Sequence, residues 1–346
     1  MKKWIILIAL LCTVILPVSA VEYQAPEAPE SAQQYMPKET ESFTDGLLYV
    51  LKTAISALRP SLASATGVCL SLVATVLLMR ILSNISDDAS NVIQLTGAVV
   101  IGLLLLDPVH SMIQLGTNTV TQMSEYSKLL LPVMTSAMAA QGGITSSAAL
   151  YTGTVLFNSV LTSAISRLVV PGLYVFLCLC VAGCAVKEEM LDKIRDTVKK
   201  GITWCLKTVL YIFTGYISIT GVISGTVDAS ALKATKLTIS GIVPVIGKVL
   251  ADTSETILVS AGIMKNAAGV YGVLAIIAVF IGPFLEIGIQ YLLLKLTGAV
   301  CNIFGNKQTV TLINNFSTGM GIILAMIGTV CVLLLISLVC FMKGMS

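Results

Sequence analysis

The sequence predicts an all-α, polytopic integral membrane protein, with about seven to nine transmembrane or re-entrant helices behind an N-terminal signal peptide. Three observations carry this expectation. Of 346 residues, 56% are hydrophobic and only 11% charged, whereas a soluble domain carries roughly 25% charged residues. Mean hydropathy is +0.93. The apolar residues fall into runs near the ~20 residues that cross a hydrocarbon core. Too few charges remain to coat a globule of this size, so much of the surface must face lipid. A net charge of +3 offers no electrostatic footprint for nucleic acid.

Residues 1–20 have the form of a secretory signal. Lys2 and Lys3 precede an apolar core, Trp4 to Leu16, and Pro17-Val18-Ser19-Ala20 ends in small residues suited to cleavage. Residues 21–45 carry Glu22, Glu27, Glu30, Glu39, Glu41 and Asp45 against the single base Lys38, with Pro26, Pro29 and Pro37. That composition reads as a flexible, acidic, exported segment. The polytopic domain fills 46–346. Its expected spans are Leu62–Leu82, Val92–Ile113, Ala148–Ser166, Leu168–Val186, Ile202–Ile223, Ala267–Phe284, Ile287–Phe304 and Thr318–Phe341. Arg167 with Pro171, and Pro283, predict tight hairpins, because proline lacks the N–H of a helix interior. Lys128–Gln141 is apolar but short, and 241–262 is long but polar on one side; each is open to a re-entrant, interfacial or tilted reading.

Basic residues set the topology. Lys187–Lys200 (KEEMLDKIRDTVKK) holds five bases and four acids, which places it in the cytoplasm. Arg80 and Lys343 argue for the same side, and satisfying all three requires Lys128–Gln141 to cross or nearly cross. Within 187–200, Met190, Leu191, Ile194 and Val198 form an apolar stripe. Glu189 with Lys193 and Asp196 with Lys200 are spaced as i,i+4 pairs. The stripe suits a helix on the inner membrane surface, or a docking surface for a cytoplasmic partner.

No motif for enzymatic chemistry is present. His110 is the single histidine, and G-x-x-x-x-G-K-[ST], H-E-x-x-H and G-x-S-x-G are all absent. Nine cysteines lie in apolar runs. Three of them, Cys178, Cys180 and Cys184, crowd into FLCLCVAGCAVKEEM. Cys180 and Cys184 share a helical face, about 40° apart, and Cys178 points elsewhere. With no converging ligand beside them they read as small apolar filler rather than a metal site.

Polar groups inside apolar runs are the stronger functional signals, since each is costly in hydrocarbon. Lys207 lies within the fifth expected span. Glu286 and Gln290 share a face just after Pro283, with Lys295 opposite. After Pro244, Lys248, Asp252 and Glu255 fall within about 60° of one helical face, which suits an interfacial helix or a water-filled cavity. The Pro-Val pair recurs in 131–134 (LPVM) and 243–246 (VPVI), hinting at an inverted repeat of broken helices. Gly221 with Gly225, and Gly319, Gly321, Ala325 and Gly328, are spaced for close helix contact.

Two of these stretches resemble a known family. LLLPVMTSAMAAQGG (129–143) and SGTVDASALKATKLTISGIVPVIGKVLADTSETILVSAGIMKNAAGVYG (224–272) resemble stage III sporulation protein AE of endospore-forming Firmicutes. Lys233 and Lys236 running into I-V-P-V-I-G-K, then M-K-N-A-A-G, are the most specific part, and the likeness runs from about residue 45 to the end. The resemblance implies a scaffold or conduit subunit of a mother-cell-to-forespore channel complex, required for late forespore gene expression and endospore development. It implies a multi-pass protein in the mother-cell membrane around the forespore. Its implied partners are other proteins of the same operon, a secretion-type ATPase among them, and membrane lipid. It brings no catalytic residue, cofactor or metal, and it is compatible with a homo-oligomer. The rival reading is a stand-alone secondary transporter built on the inverted repeat.

Overall fold

The computed structural model describes residues 25–37, 43–85, 90–140, 144–186, 189–219, 267–305 and 307–344. The described residues form helices with no strand: α1 Glu30–Gln33, α2 Phe43–Ser56, α3 Arg59–Ile85, α4 Ser90–Ala140, α5 Ile144–Val186, α6 Glu189–Ile219, α7 Ala267–Cys301 and α8 Lys307–Gly344. Six of them, α3 to α8, are long and apolar enough to cross a membrane. The chain is thus an all-α polytopic membrane protein.

The helices are longer than the sequence suggests. Val92–Ile113 and Lys128–Gln141 fall largely within one helix, α4, of 51 residues, or about 76 Å. Ala148–Ser166 and Leu168–Val186 lie in one helix of 43 residues. Ala267–Phe284 and most of Ile287–Phe304 form α7. The hairpins expected at Arg167/Pro171 and at Pro283 are therefore not formed. Pro171 instead follows a π-helical stretch, Ile165–Val169, where Val170 N–H donates to Ile165 O. The helix widens by one residue just before the position that cannot donate, which accommodates the ring without a break. Pro108, Pro132 and Pro283 also lie inside helices. Packed neighbours support helices through proline in a membrane bundle.

Side-chain contacts fix the helix directions. On α8, Ile323 and Met326 face Gly116 of α4, and Gly344 meets Met138, so α4 and α8 run parallel. Gly298 meets Asn314 and Gly269 meets Met342, so α7 runs against α8. His110 pairs with Tyr174 and Asn158 with Ser124, so α5 runs against α4. Ile202 packs at Gly172 and Tyr216 at Gly153, so α6 runs against α5. Met79 of α3 meets Gly97. The segment 187–200 is no separate surface helix: from Glu189 onward it forms the opening turns of α6, packed on the end of α5 through Leu191 and Asp192 at Gly183.

One end of the bundle therefore holds Arg80, the start of α4, the end of α5 and the start of α6. Lys343 lies at the other end, beside Met138 and Gly269. The expectation that Arg80, 187–200 and Lys343 share one side is corrected: Lys128–Gln141 prolongs α4 and adds no crossing of its own.

The core is centred on α8, whose buried residues run from Thr309 to Met342. Lipid is as apolar as these side chains, so the helices gain by close van der Waals packing rather than by escape from water. Gly116 shows how: a side chain there would run into Ile323 and Met326. α3, the first half of α4 and the second half of α5 instead present Leu70, Leu78, Ile81, Leu103, Leu106, Leu168 and Val175 outward, as lipid-facing helices do.

Candidate functional site

Buried polar groups collect where α4, α5 and α8 meet. Asn158, 2% exposed within α5, donates through Nδ2 to Ser124 Oγ and to Ser127 Oγ, each at 3.0 Å. Ser127 Oγ donates in turn to Ser124 O at 2.7 Å. One turn along α5, Thr154 Oγ1 donates to Ser337 Oγ of α8 at 2.9 Å, and Ser337 Oγ donates to Leu333 O. Asn158 Oδ1 and Thr162 Oγ1 are buried without a hydrogen-bond partner among the described residues. The spacing explains the cluster: positions 154, 158 and 162 stack on one face of α5. Such bonds hold helices in register in an apolar surrounding.

A second feature is a strap. Residues 25–37, expected to be part of a flexible tail over 21–45, pack across α4 and α7. Ala32 is fully buried and Ala28 nearly so. Tyr126 Oη of α4 donates to Pro26 O at 3.3 Å. Ala28 N donates to Tyr271 Oη of α7 at 3.3 Å. Ser31 Oγ donates to Gln122 Oε1 at 2.6 Å. Tyr35 lies over Gly282, which leaves room for its ring. Burial pushes the Tyr35 phenol above its ordinary range, and the nearby Glu286 carboxylate adds to the shift. Proline-rich, acidic composition predicts disorder, but small and aromatic residues here find long-range partners that composition does not reveal.

The sequence model of the family described as stage III sporulation protein AE matches residues 33–344. The chain belongs to the stage III sporulation protein AE family. A curated relative, stage III sporulation protein AE of Bacillus subtilis (strain 168), is 22% identical over 240 residues, covering 69% of this chain and 60% of the relative. The alignment thus spans about three fifths of that relative's length. No solved structure matches the chain. Family membership covers all eight helices except the first residues of α1, and gives the chain a place in sporulation.

Within this family fold, the residues singled out by sequence are dispersed. Glu286 is half-buried on α7 beside Tyr35, and Gln290, one turn on, is buried. Lys207 is half-buried on α6, which makes no extended contact with α7 among the described residues. The structure thus groups Glu286 and Gln290 but leaves Lys207 apart. Gly321 faces the Tyr291 ring of α7, and Gly319 faces Leu177 of α5. Lys248, Asp252, Glu255, Gly221 and Gly225 lie outside the described residues, as do the signal segment 1–20 and the second Pro-Val pair. The first Pro-Val pair lies inside continuous α4 and breaks no helix.

Cys178 is exposed, Cys180 buried and Cys184 between the two. Among the described residues, no three His, Cys, Asp or Glu side chains converge as metal ligands would. At the start of α6, Lys193 meets Glu189 at 3.9 Å as spaced. Asp196, expected to pair with Lys200, is instead held by Arg195 Nη2 at 3.1 Å, and Arg195 Nη1 reaches Asp192 at 2.6 Å. The guanidinium fork reaches two carboxylates at once, a geometry an ammonium cannot offer.

Sequence inspection passes over Asn158, Ser124, Ser127, Tyr126 and Gln122. Asn158 had a visible signal, as the single amide in the apolar run YTGTVLFNSVLTSA. Tyr126 had none, because its partner is the carbonyl of a proline 100 residues away.

Proposed function

We propose that this chain is a membrane subunit, scaffold or conduit, of a complex joining mother cell and forespore, which sustains late forespore gene expression and endospore development. The observation that carries the reading is the family match over 33–344 on a chain whose described part is a bundle of membrane-length helices with polar groups in its interior. It sits in the mother-cell membrane around the forespore. Its partners are other products of the same operon, including a secretion-type ATPase that supplies the energy this chain has no motif to harvest. The exposed charged face of α6, at the Arg80 end of the bundle, offers a cytoplasmic contact surface for such a partner. The Lys248, Asp252 and Glu255 face contributes polar groups to the same assembly. The chain is not an enzyme on this reading, and the transporter alternative loses support because α4 runs unbroken through Pro132.

The test is deletion and complementation in a spore-forming host. Loss of the chain stops sporulation after the forespore is enclosed, and affinity capture of a tagged chain from sporulating membranes brings down the ATPase-type partner. Full yields of heat-resistant spores from the deletion strain overturn the reading.

A further inference from the structure

The outer face of α6 is built as half of a helix pair. Met190, Ile194, Thr197, Gly201 and Trp204 follow one another at steps of four, three, four and three residues, and Tyr211 extends the line seven residues further. All six are exposed, Met190 by 69% and Trp204 by 70%. The opposite face, with Ile202, Leu206, Leu210 and Phe213, is buried against the bundle. An average step of 3.5 residues is the period of a seam between two supercoiled helices. The seam has room for a close neighbour, since nothing lies within 4 Å of a side chain placed at Gly201 or at Gly215. Exposed Trp, Tyr and Met are the residues that anchor interfaces.

Charge fixes one flank of this seam. Lys193, Lys200 and Lys207 recur every seven residues, each immediately before a seam position, Ile194, Gly201 and Thr208. In a helix pair this flank sets the choice of partner. Lys200 and Lys207 form no ion pair among the described residues, and Lys193 meets only Glu189, at 3.9 Å and with both side chains largely exposed. Lys207 is the single charged residue of 201–219. Apolar neighbours leave its ammonium unpaired, whereas a facing carboxylate satisfies it.

The other flank argues against a second copy of the chain. It carries Leu191, Val198 and Cys205, all half-buried toward α5. Copies inserted in the same sense bring parallel α6 helices together, and each lysine then faces one of these apolar residues. The acids Glu189 and Asp196 lie behind the lysines, away from the seam, and Asp196 is already held by Arg195. The complement has to come from another chain.

We infer that this seam of α6 docks one helix of a different protein, a helix with an acidic residue every seven positions facing Lys193, Lys200 and Lys207. The inference deepens the complex-subunit reading and rests on it for the partner's presence in the cell.

The test uses the full-length chain in sporulating cells, with a photoreactive benzophenone amino acid in place of Thr197 or Tyr211, and in place of Leu70 on α3 as the control. Illumination should join both seam positions, and not the control, to one protein. Mass spectrometry should map the joined residues to a single helix with acids seven residues apart. K193E/K200E/K207E should lower the yield on the order of tenfold at normal protein level, and lysines in place of the mapped acids should restore it. K200Q, at an exposed position, is the milder variant and should lower the yield less. Adducts with lipid alone, with a second copy or with a helix lacking those acids overturn the inference. No adduct from accumulated protein, or yields unchanged by both variants, also overturn it. Mapping does not depend on spore yield: a matching helix in a host that sporulates normally without the chain keeps this inference and removes the sporulation reading.

Discussion

Tyr126, in the middle of α4, donates its hydroxyl to the carbonyl of Pro26 at 3.3 Å across 100 residues of sequence. This bond, with those from Ala28 to Tyr271 and from Ser31 to Gln122, ties the N-terminal strap to two helices. Tyr126→Phe with Tyr271→Phe removes two of the three. Each bond is worth about 1 kcal/mol net. The double variant should expose residues 25–37 to added protease while the helices stay protected. Unchanged cleavage means that packing and the Ser31–Gln122 bond suffice to hold the strap.

Alkaline pH tests the same strap from another side. The Tyr35 pKa is raised by burial and by Glu286. Its contribution to docking is therefore fully present below the ordinary phenol pKa and is lost as pH climbs through the raised value in the docked state. Strap protection should fall only well into the alkaline range. Glu286→Gln removes the adjacent negative charge, brings the docked phenol closer to its ordinary value and should make that fall smaller. A fall near neutral pH contradicts the assignment to Tyr35.

Asn158 joins α5 to α4 through two serine hydroxyls. Asn158→Leu leaves the hydroxyls of Ser124 and Ser127 without that donor and should lower bundle stability by about 0.6–2 kcal/mol. Asn158→Asp puts a carboxyl where burial disfavours charge and should destabilise more. Thermal unfolding of the purified chain in detergent reads both. Wild-type stability in both variants removes this cluster from the account.

Topology offers a sharp prediction. The bundle puts 189–200 at the end that holds Arg80 and puts Lys343 at the opposite end. A phosphatase reporter inserted after Lys200 should be inactive, reporting cytoplasm, and one fused after Lys343 should be active. The same result at both sites contradicts the bundle's helix directions.

Cys178, Cys180 and Cys184 show how far spacing alone carries. Their different exposures suit packing, so the triple Ala variant should accumulate and sporulate near the level of the parent. A severe defect at normal protein level calls for metal analysis.

The sequence makes the membrane class legible because composition alone excludes a soluble globule. The spans Leu62–Leu82 and Thr318–Phe341 are legible because each is a long, predominantly apolar run, the first with its one charge, Arg80, near its end and the second with none. The division of α5 at Arg167 is misleading for a physical reason: proline ends helices in water, where nothing replaces the lost bond, whereas a packed bundle absorbs Pro171 in one π-helical turn. Glu286 and Gln290 are legible as misplaced polar groups. The strap is not, because its affinity lies in Tyr126, Tyr271 and Gln122, which are distant in sequence and individually ordinary. Lys207 stands out by charge, yet helix packing keeps it away from Glu286.

The central claim is that this membrane bundle serves sporulation as part of an intercellular complex. Its most direct measurement is a late forespore reporter, scored with heat-resistant spores, in a strain lacking the chain and in the same strain complemented. The account predicts enclosed forespores, a silent late reporter and a loss of spores, all restored by the parent chain. A normal late reporter and normal spore yield without the chain would contradict it.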